Sequence, residues 1–113
     1  MAIHNTVLVD SGQAAANVLA ATGLGGQAVT TMYFCNTNTA ATTFTLHLVS
    51  AGFVANANNI IYKNKVITAG DTYIVDWEKL VLGNGDTLRA NANVGNSIVA
   101  TVSTIGYNDG TIP

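Results

Sequence analysis

The chain has 113 residues and a formal net charge of -2, and only 9% of its residues are charged, against roughly 25% in an ordinary soluble domain. That length allows one domain whose core buries roughly two thirds of the unfolded surface, and so weakly charged a surface suggests cover by copies or partners. Four basic residues, Lys63, Lys65, Lys79 and Arg89, leave no footprint for gripping phosphates, and no apolar run nears the roughly 18 residues that cross a bilayer, so neither direct nucleic-acid binding nor a membrane is expected.

The start, MAIHNTVLVD, lacks the basic and apolar regions of a signal peptide, which leads us to expect a chain made and kept in a cytoplasm, or packaged there. Residues 1–5, with His4, read as an extended N-terminal arm, and Thr6 to Val9 as the first strand. The Ala-rich stretch Gln13 to Ala21 could pass for a helix on propensity. Its apolar spacing is poor, however, and TGLGG follows at once, so a weak strand over Asn17 to Ala21 is expected instead. Gly23 to Gly26 has no following Lys-Ser/Thr and reads as a loop, not a phosphate site.

Val29 to Asn36 is a β-branched and aromatic strand holding the lone Cys35, for which no disulfide is possible within the chain and a buried, inert thiol is expected. Asn36 to Ala40 is a turn. Thr42 to Val49 alternates cleanly: Phe44, Leu46 and Leu48 share a core face, while Thr43, Thr45 and His47 share a polar one, so His47 is expected to be exposed or at an interface. Asn59 to Lys63, Thr72 to Asp76 and Lys79 to Leu82 are further strands, with a turn at Thr68 to Asp71.

Asp76-Trp77-Glu78-Lys79 is the most charged patch and holds the sole tryptophan, a residue suited to an interface hot spot or to a half-buried sandwich edge. Gly83-Asn84-Gly85-Asp86 signals a type I′ hairpin that would set Val81 across from Leu88. Leu88 to Val94 then places Leu88, Ala90, Ala92 and Val94 opposite Arg89, Asn91 and Asn93. The alanines are small enough to admit a facing sheet or a neighbouring subunit. The asparagines offer hydrogen bonds without a charge to desolvate, and they fit either a repeated interface or plain contact with water. Ile98 to Ile105 is apolar on both faces and central, and a loose tail is expected over residues 108–113. Short strands at even intervals and no long helical period predict an all-β fold: a single antiparallel β-sandwich, jelly-roll-like, of about eight short strands spanning 1–113.

For chemistry the ingredients are His4, His47, Asp10, Asp71, Asp76, Asp86 and Glu78, and none falls in a nucleophile, zinc, Walker or dinucleotide motif. Asp71, Asp76 and Asp86 could supply calcium oxygens, but the twelve-residue calcium loop is absent and turns favour aspartate anyway. Tyr33, Tyr62, Tyr73 and Tyr107 fall on separate segments with no visible platform for a sugar. No enzyme, catalytic residue, cofactor or metal is expected.

The string from Asn58 to Val102 resembles small virion structural proteins of tailed bacteriophages, particularly those of marine cyanobacterial phages. The resemblance rests on Ile61-Tyr62, Gly70-Asp71-Thr72, Asp76 with Glu78-Lys79, Leu80 to Leu82, Asn84 to Asp86, and the alternating Leu88 to Val94. The N-terminal half shares it only through NTVLV and TTMYFCNT. It implies a non-enzymatic β-sandwich present in multiple copies on the particle. The leading expectation is therefore a capsid decoration or cement protein, a homo-oligomer with a trimer favoured, that binds the major capsid protein or another virion protein. Trp77, Arg89, Asn91 and Asn93 are its candidate interface. The alternatives are a tail, baseplate or neck adaptor, and a carbohydrate-binding module on a fibre.

Overall fold

A computed structural model describes residues 2–10, 15–20, 27–76 and 80–106. Ten strands follow in chain order: β1 (Ala2–Val7), β2 (Val9–Asp10), β3 (Ala16–Ala20), β4 (Gln27–Asn36), β5 (Thr42–Val49), β6 (Ile60–Ile67), β7 (Thr72–Val75), β8 (Leu80–Leu82), β9 (Thr87–Ala92) and β10 (Ile98–Gly106). One turn of 3-10 helix, Ala57–Asn59, precedes β6. None of the helices among the described residues is long and apolar enough to cross a membrane.

The strands form two five-stranded sheets. Sheet A runs β1-β10-β4-β7 with β8 also on β4, and sheet B runs β2-β9-β5-β6 with β3 also on β9. β7 and β8 lie end to end along one edge of β4, and β2 and β3 share one edge of β9 in the same way. Counting each shared edge as one track gives eight tracks in the orders 1-8-3-6 and 2-7-4-5, the order of a jelly roll. Among the described residues every pairing is antiparallel except the two-residue parallel pair of β2 with β9, which the expected all-antiparallel sandwich did not include.

The chain changes sheet at nearly every connection, so the inward residues of both sheets meet in one core. At its centre the rings of Phe34 (β4) and Phe44 (β5) stack across the sandwich, 4.2 Å apart and 15° from parallel. Ala100 sits beside Phe34 and Ala92 beside Phe44 on the neighbouring strands, leaving room for the rings. The facing sheet that those small side chains admit thus belongs to the chain's own core, where Leu88, Ala90 and Ala92 are all buried.

Several local expectations change. From Ala2 onward the arm expected over residues 1–5 is strand β1, laddered to β10 from Ala2↔Thr104 to Val7↔Val99, and His4 faces inward opposite the buried Val102. Leu8, fully buried, is the point at which the chain leaves sheet A for sheet B. The segment Gly83 to Asp86 is not a hairpin within one sheet: β8 belongs to sheet A and β9 to sheet B, so Val81 pairs with Ala28 and is exposed, while Leu88 pairs with Leu48 in sheet B. The turn donates Asp86 N to Gly83 O and has positive φ at Gly85 but not at Asn84, which makes it type II and not I′. Thr68 to Asp71 makes a second sheet-crossing turn of this kind, with positive φ at Gly70. The tail expected over 108–113 lies outside the described residues.

Candidate interaction surfaces

The titratable groups do not converge. Among the described residues no three His, Cys, Asp or Glu side chains are grouped as a metal would need. The aspartates in turns act as local caps. Asp71 Oδ1 accepts from Thr72 N and Oδ2 from Thr68 Oγ1, while Asp86 accepts from Gly83 N and Ala51 N, both at 2.9 Å.

The outer face of sheet B is polar and carries three of the four candidate interface residues. Alternation along β9 turns Arg89, Asn91 and Asn93 outward, opposite His47, Thr45 and Thr43 of β5. Arg89 is half-buried between Asn17 on β3 and His47 on β5, with Nε donating to Thr87 Oγ1 at 3.1 Å. The two asparagines differ in use. Asn93 Oδ1 accepts from Thr43 N at 2.9 Å and its own N–H donates to Thr43 O, so its side chain continues the β5–β9 ladder past the strand end. Asn91 has no such bond among the described residues. Trp77, the fourth candidate, lies outside the described residues.

His47 is buried, not exposed as its place on a polar face suggested. The connection from Ser50 to Asn59 folds over this end of sheet B and covers His47. His47 Nδ1 lies 3.1 Å from Asn56 O and 2.8 Å from Asn59 Oδ1. Both neighbours are acceptors, so Nδ1 carries the proton and donates. A cleft of about 250 Å³ lined by Ser50, Phe53, Asn56, Asn58 and Asn59 opens on the loop. Two of its asparagines are engaged inward: Asn56 Oδ1 accepts from Asn58 N, and Asn59 bridges Asn56 N and Val54 O. They hold the loop against His47.

Two tyrosines that look scattered in sequence meet in space. Tyr62 and Tyr73 pack edge to face at 5.7 Å, both against Phe44, and Lys65 Nζ lies 4.7 Å from the centre of the Tyr73 ring. These rings are half-buried against the core, where they close the sandwich between β6 and β7.

The outer face of sheet A is the surface that the sequence reading missed. None of its five strands contains Asp, Glu, Lys or Arg, whereas sheet B carries Asp10, Lys63, Lys65 and Arg89 in its strands. The register aligns the outward residues in rows. Val7, Val99, Cys35 and Thr72 make one, and Asn5, Thr101, Tyr33 and Ile74 the next, with Thr101 Oγ1 donating to Asn5 Oδ1 at 2.8 Å. Beyond the bulge at Ser103/Thr104, Ile105, Ala28 and Val81 form the far end. Ile3, Val81 and Ile105 are 67%, 57% and 47% exposed, so large apolar side chains stand in water along the face. Cys35, expected to be buried, is half-buried on this face between Val99 and Thr72. The missed signal was the charge-free composition of Gln27 to Asn36 and Ile98 to Gly106, which becomes a surface property only once the two strands pair.

No family model, curated protein or solved structure matches the chain.

Proposed function

We propose that the chain is a non-enzymatic structural protein of a tailed-phage particle, a capsid decoration or cement protein that acts as a homo-oligomer on the coat lattice. The observation that carries this reading is the outer face of sheet A, a sheet surface with no charged residue and with exposed Ile, Val and Tyr side chains, such as a protein uses when that surface is covered in its working state. The resemblance of Asn58 to Val102 to phage virion proteins supplies the particle. Stabilisation would come from area buried across coat-subunit boundaries and multiplied by symmetry, with Arg89 and Asn91 on sheet B as the coat contacts and with no chemical step. The sugar-binding alternative would have to use the loop cleft, where the side chain of Asn59 and Oδ1 of Asn56 are already bonded within the loop.

Quantitative mass spectrometry of purified particles tests the reading. About one copy per coat subunit, or about one per three, is expected for a lattice component, whereas about six or twelve copies would move the protein to a tail, baseplate or neck ring. Absence from the particle would end the virion reading.

A further inference from the structure

Sheet A packs its inner face into the core and leaves its outer face to solvent, and that outer face has no charge anywhere in its five strands. We propose that a second copy of this chain packs there, sheet against sheet, about a two-fold axis that passes near Tyr33. The inference stands apart from the virion reading. A dimer in solution with no copies on a particle would keep the one and sink the other.

The charge pattern favours a copy as the occupant. Two identical neutral faces bring no like charges together, while a charged partner surface would be desolvated against this one with nothing to compensate it. The outer face of sheet B could not serve as well, because Arg89 stands on it and self-packing would set the two guanidinium groups against each other.

The area is sufficient. β10 has nine residues and the sheet has four tracks. At about 3.3 Å per residue and about 4.8 Å between strands the footprint is about 30 by 19 Å, or roughly 570 Å² per copy. Two copies bury roughly 1,100 Å², just above the floor of roughly 1,000 Å² for a biological interface and at the small end of the range, which fits a dimer of modest affinity.

The distribution of residue types matches an interface core. Tyr33 occupies an interior track, flanked by Thr101 on β10 and Ile74 on β7, and is 40% exposed. An amphipathic aromatic at the centre of a neutral patch is a common anchor of such contacts. Hydroxyls of Thr101, Thr31 and Ser103 lie within the face, where they can bond to each other or across the axis. The pairing is two-fold, in place of the trimer favoured on sequence.

Sedimentation equilibrium of the full chain from about 1 to 500 μM tests the proposal directly. The wild type is expected to reach dimer mass, and Tyr33→Glu to weaken the dimer by about 100-fold or more, because two carboxylates would meet in a desolvated centre. Mixing Tyr33→Glu with Tyr33→Lys should restore a dimer through the opposite charges. Thr101→Lys, at the neighbouring outward position, reads the same contact should Tyr33→Glu fail to fold, and Asn91→Asp on sheet B should leave the mass unchanged. A wild type that stays monomeric throughout the range, one that forms trimers, or a dimer that both Tyr33→Glu and Thr101→Lys leave intact would overturn the proposal.

Discussion

The side-chain amide of Asn36, at the end of β4 in sheet A, donates to the carbonyl of Ile67, at the end of β6 in sheet B, at 2.9 Å. The same nitrogen reaches Ala40 O at 2.9 Å and Thr68 O at 3.3 Å, and Oδ1 accepts from Asn38 N. Asn36 is fully buried, and its backbone N–H and C=O pair with Asp71 and Gly70. One residue thus ties together two of the places where the chain changes sheet. Asn36→Ala should lower unfolding free energy by about 2 to 3 kcal/mol, since it strands the buried carbonyl of Ile67 and removes the bonds to two part-buried ones. Asn36→Asp keeps the shape but turns a donor into an acceptor facing carbonyl oxygens, and it should cost at least as much. Urea denaturation of both variants checks this, and a benign Asn36→Asp would remove the amide from its assigned role.

The two type II turns make a matched pair for separating backbone strain from steric clash. Gly70 has φ +72 and a Cβ there would meet nothing within 4 Å, whereas Gly85 has φ +90 and its Cβ would lie 2.9 Å from the Cβ of Ala51. Gly70→Ala should cost about 1 kcal/mol from conformation alone. Gly85→Ala carries the same term plus displacement of the Ala51 segment, for a total of about 2 to 3 kcal/mol. Thermal melts of the two variants compare them, and equal losses would mean that the Ala51 contact yields without cost.

Asn91 and Asn93 looked equivalent as candidate contacts, and the structure separates them. Asn93→Ala removes the acceptor for Thr43 N and should cost about 1 kcal/mol of stability. Asn91→Ala should stay within about 0.5 kcal/mol of the wild type. Asn91 is therefore the cleaner probe of coat binding. If sheet B faces the coat, Asn91→Ala should weaken reassociation with particles stripped of the protein while leaving the melting temperature of the free chain nearly unchanged, and Arg89→Ala should weaken it too, at a cost of about 1 kcal/mol in free-chain stability from its bond to Thr87 and its packed stem. Undiminished reassociation of both would take that face out of the contact.

Most of the strands were legible because strands with one buried face announce themselves by alternation. Phe44, Leu46 and Leu48 are inward, and so are Leu88, Ala90 and Ala92. β6 was cut short in the sequence reading because Lys63, Asn64 and Lys65 interrupt the period of two. In the structure Asn64 takes positive φ within β6, and the β5–β6 ladder shifts register twice. Which strands pair was not legible: alternation fixes which side chains share a face, not which sheet the strand joins, so Val81 and Leu88 were set across a hairpin when they belong to different sheets. The burial of His47 depends on a loop folding back over the sheet, a contact between segments about nine residues apart that no periodicity encodes.

Ala92 of β9 and Ala100 of β10 are set by the Phe34–Phe44 stack. Ala92 lies beside Phe44 and Ala100 beside Phe34, both alanines essentially without solvent exposure, and the rings fill the width of the sandwich between them. A close-packed interior has no free volume for added methyl groups, so Ala92→Val and Ala100→Val should each cost about 1 to 3 kcal/mol even though valine favours strands. Because both substitutions press on the same pair of rings, the double variant should depart from additivity, with a coupling of about 0.5 kcal/mol or more. A double-mutant cycle by chemical denaturation measures it. If the two losses simply add, each ring moves independently of the other, and the stack does not act as one unit in holding the two sheets at their spacing.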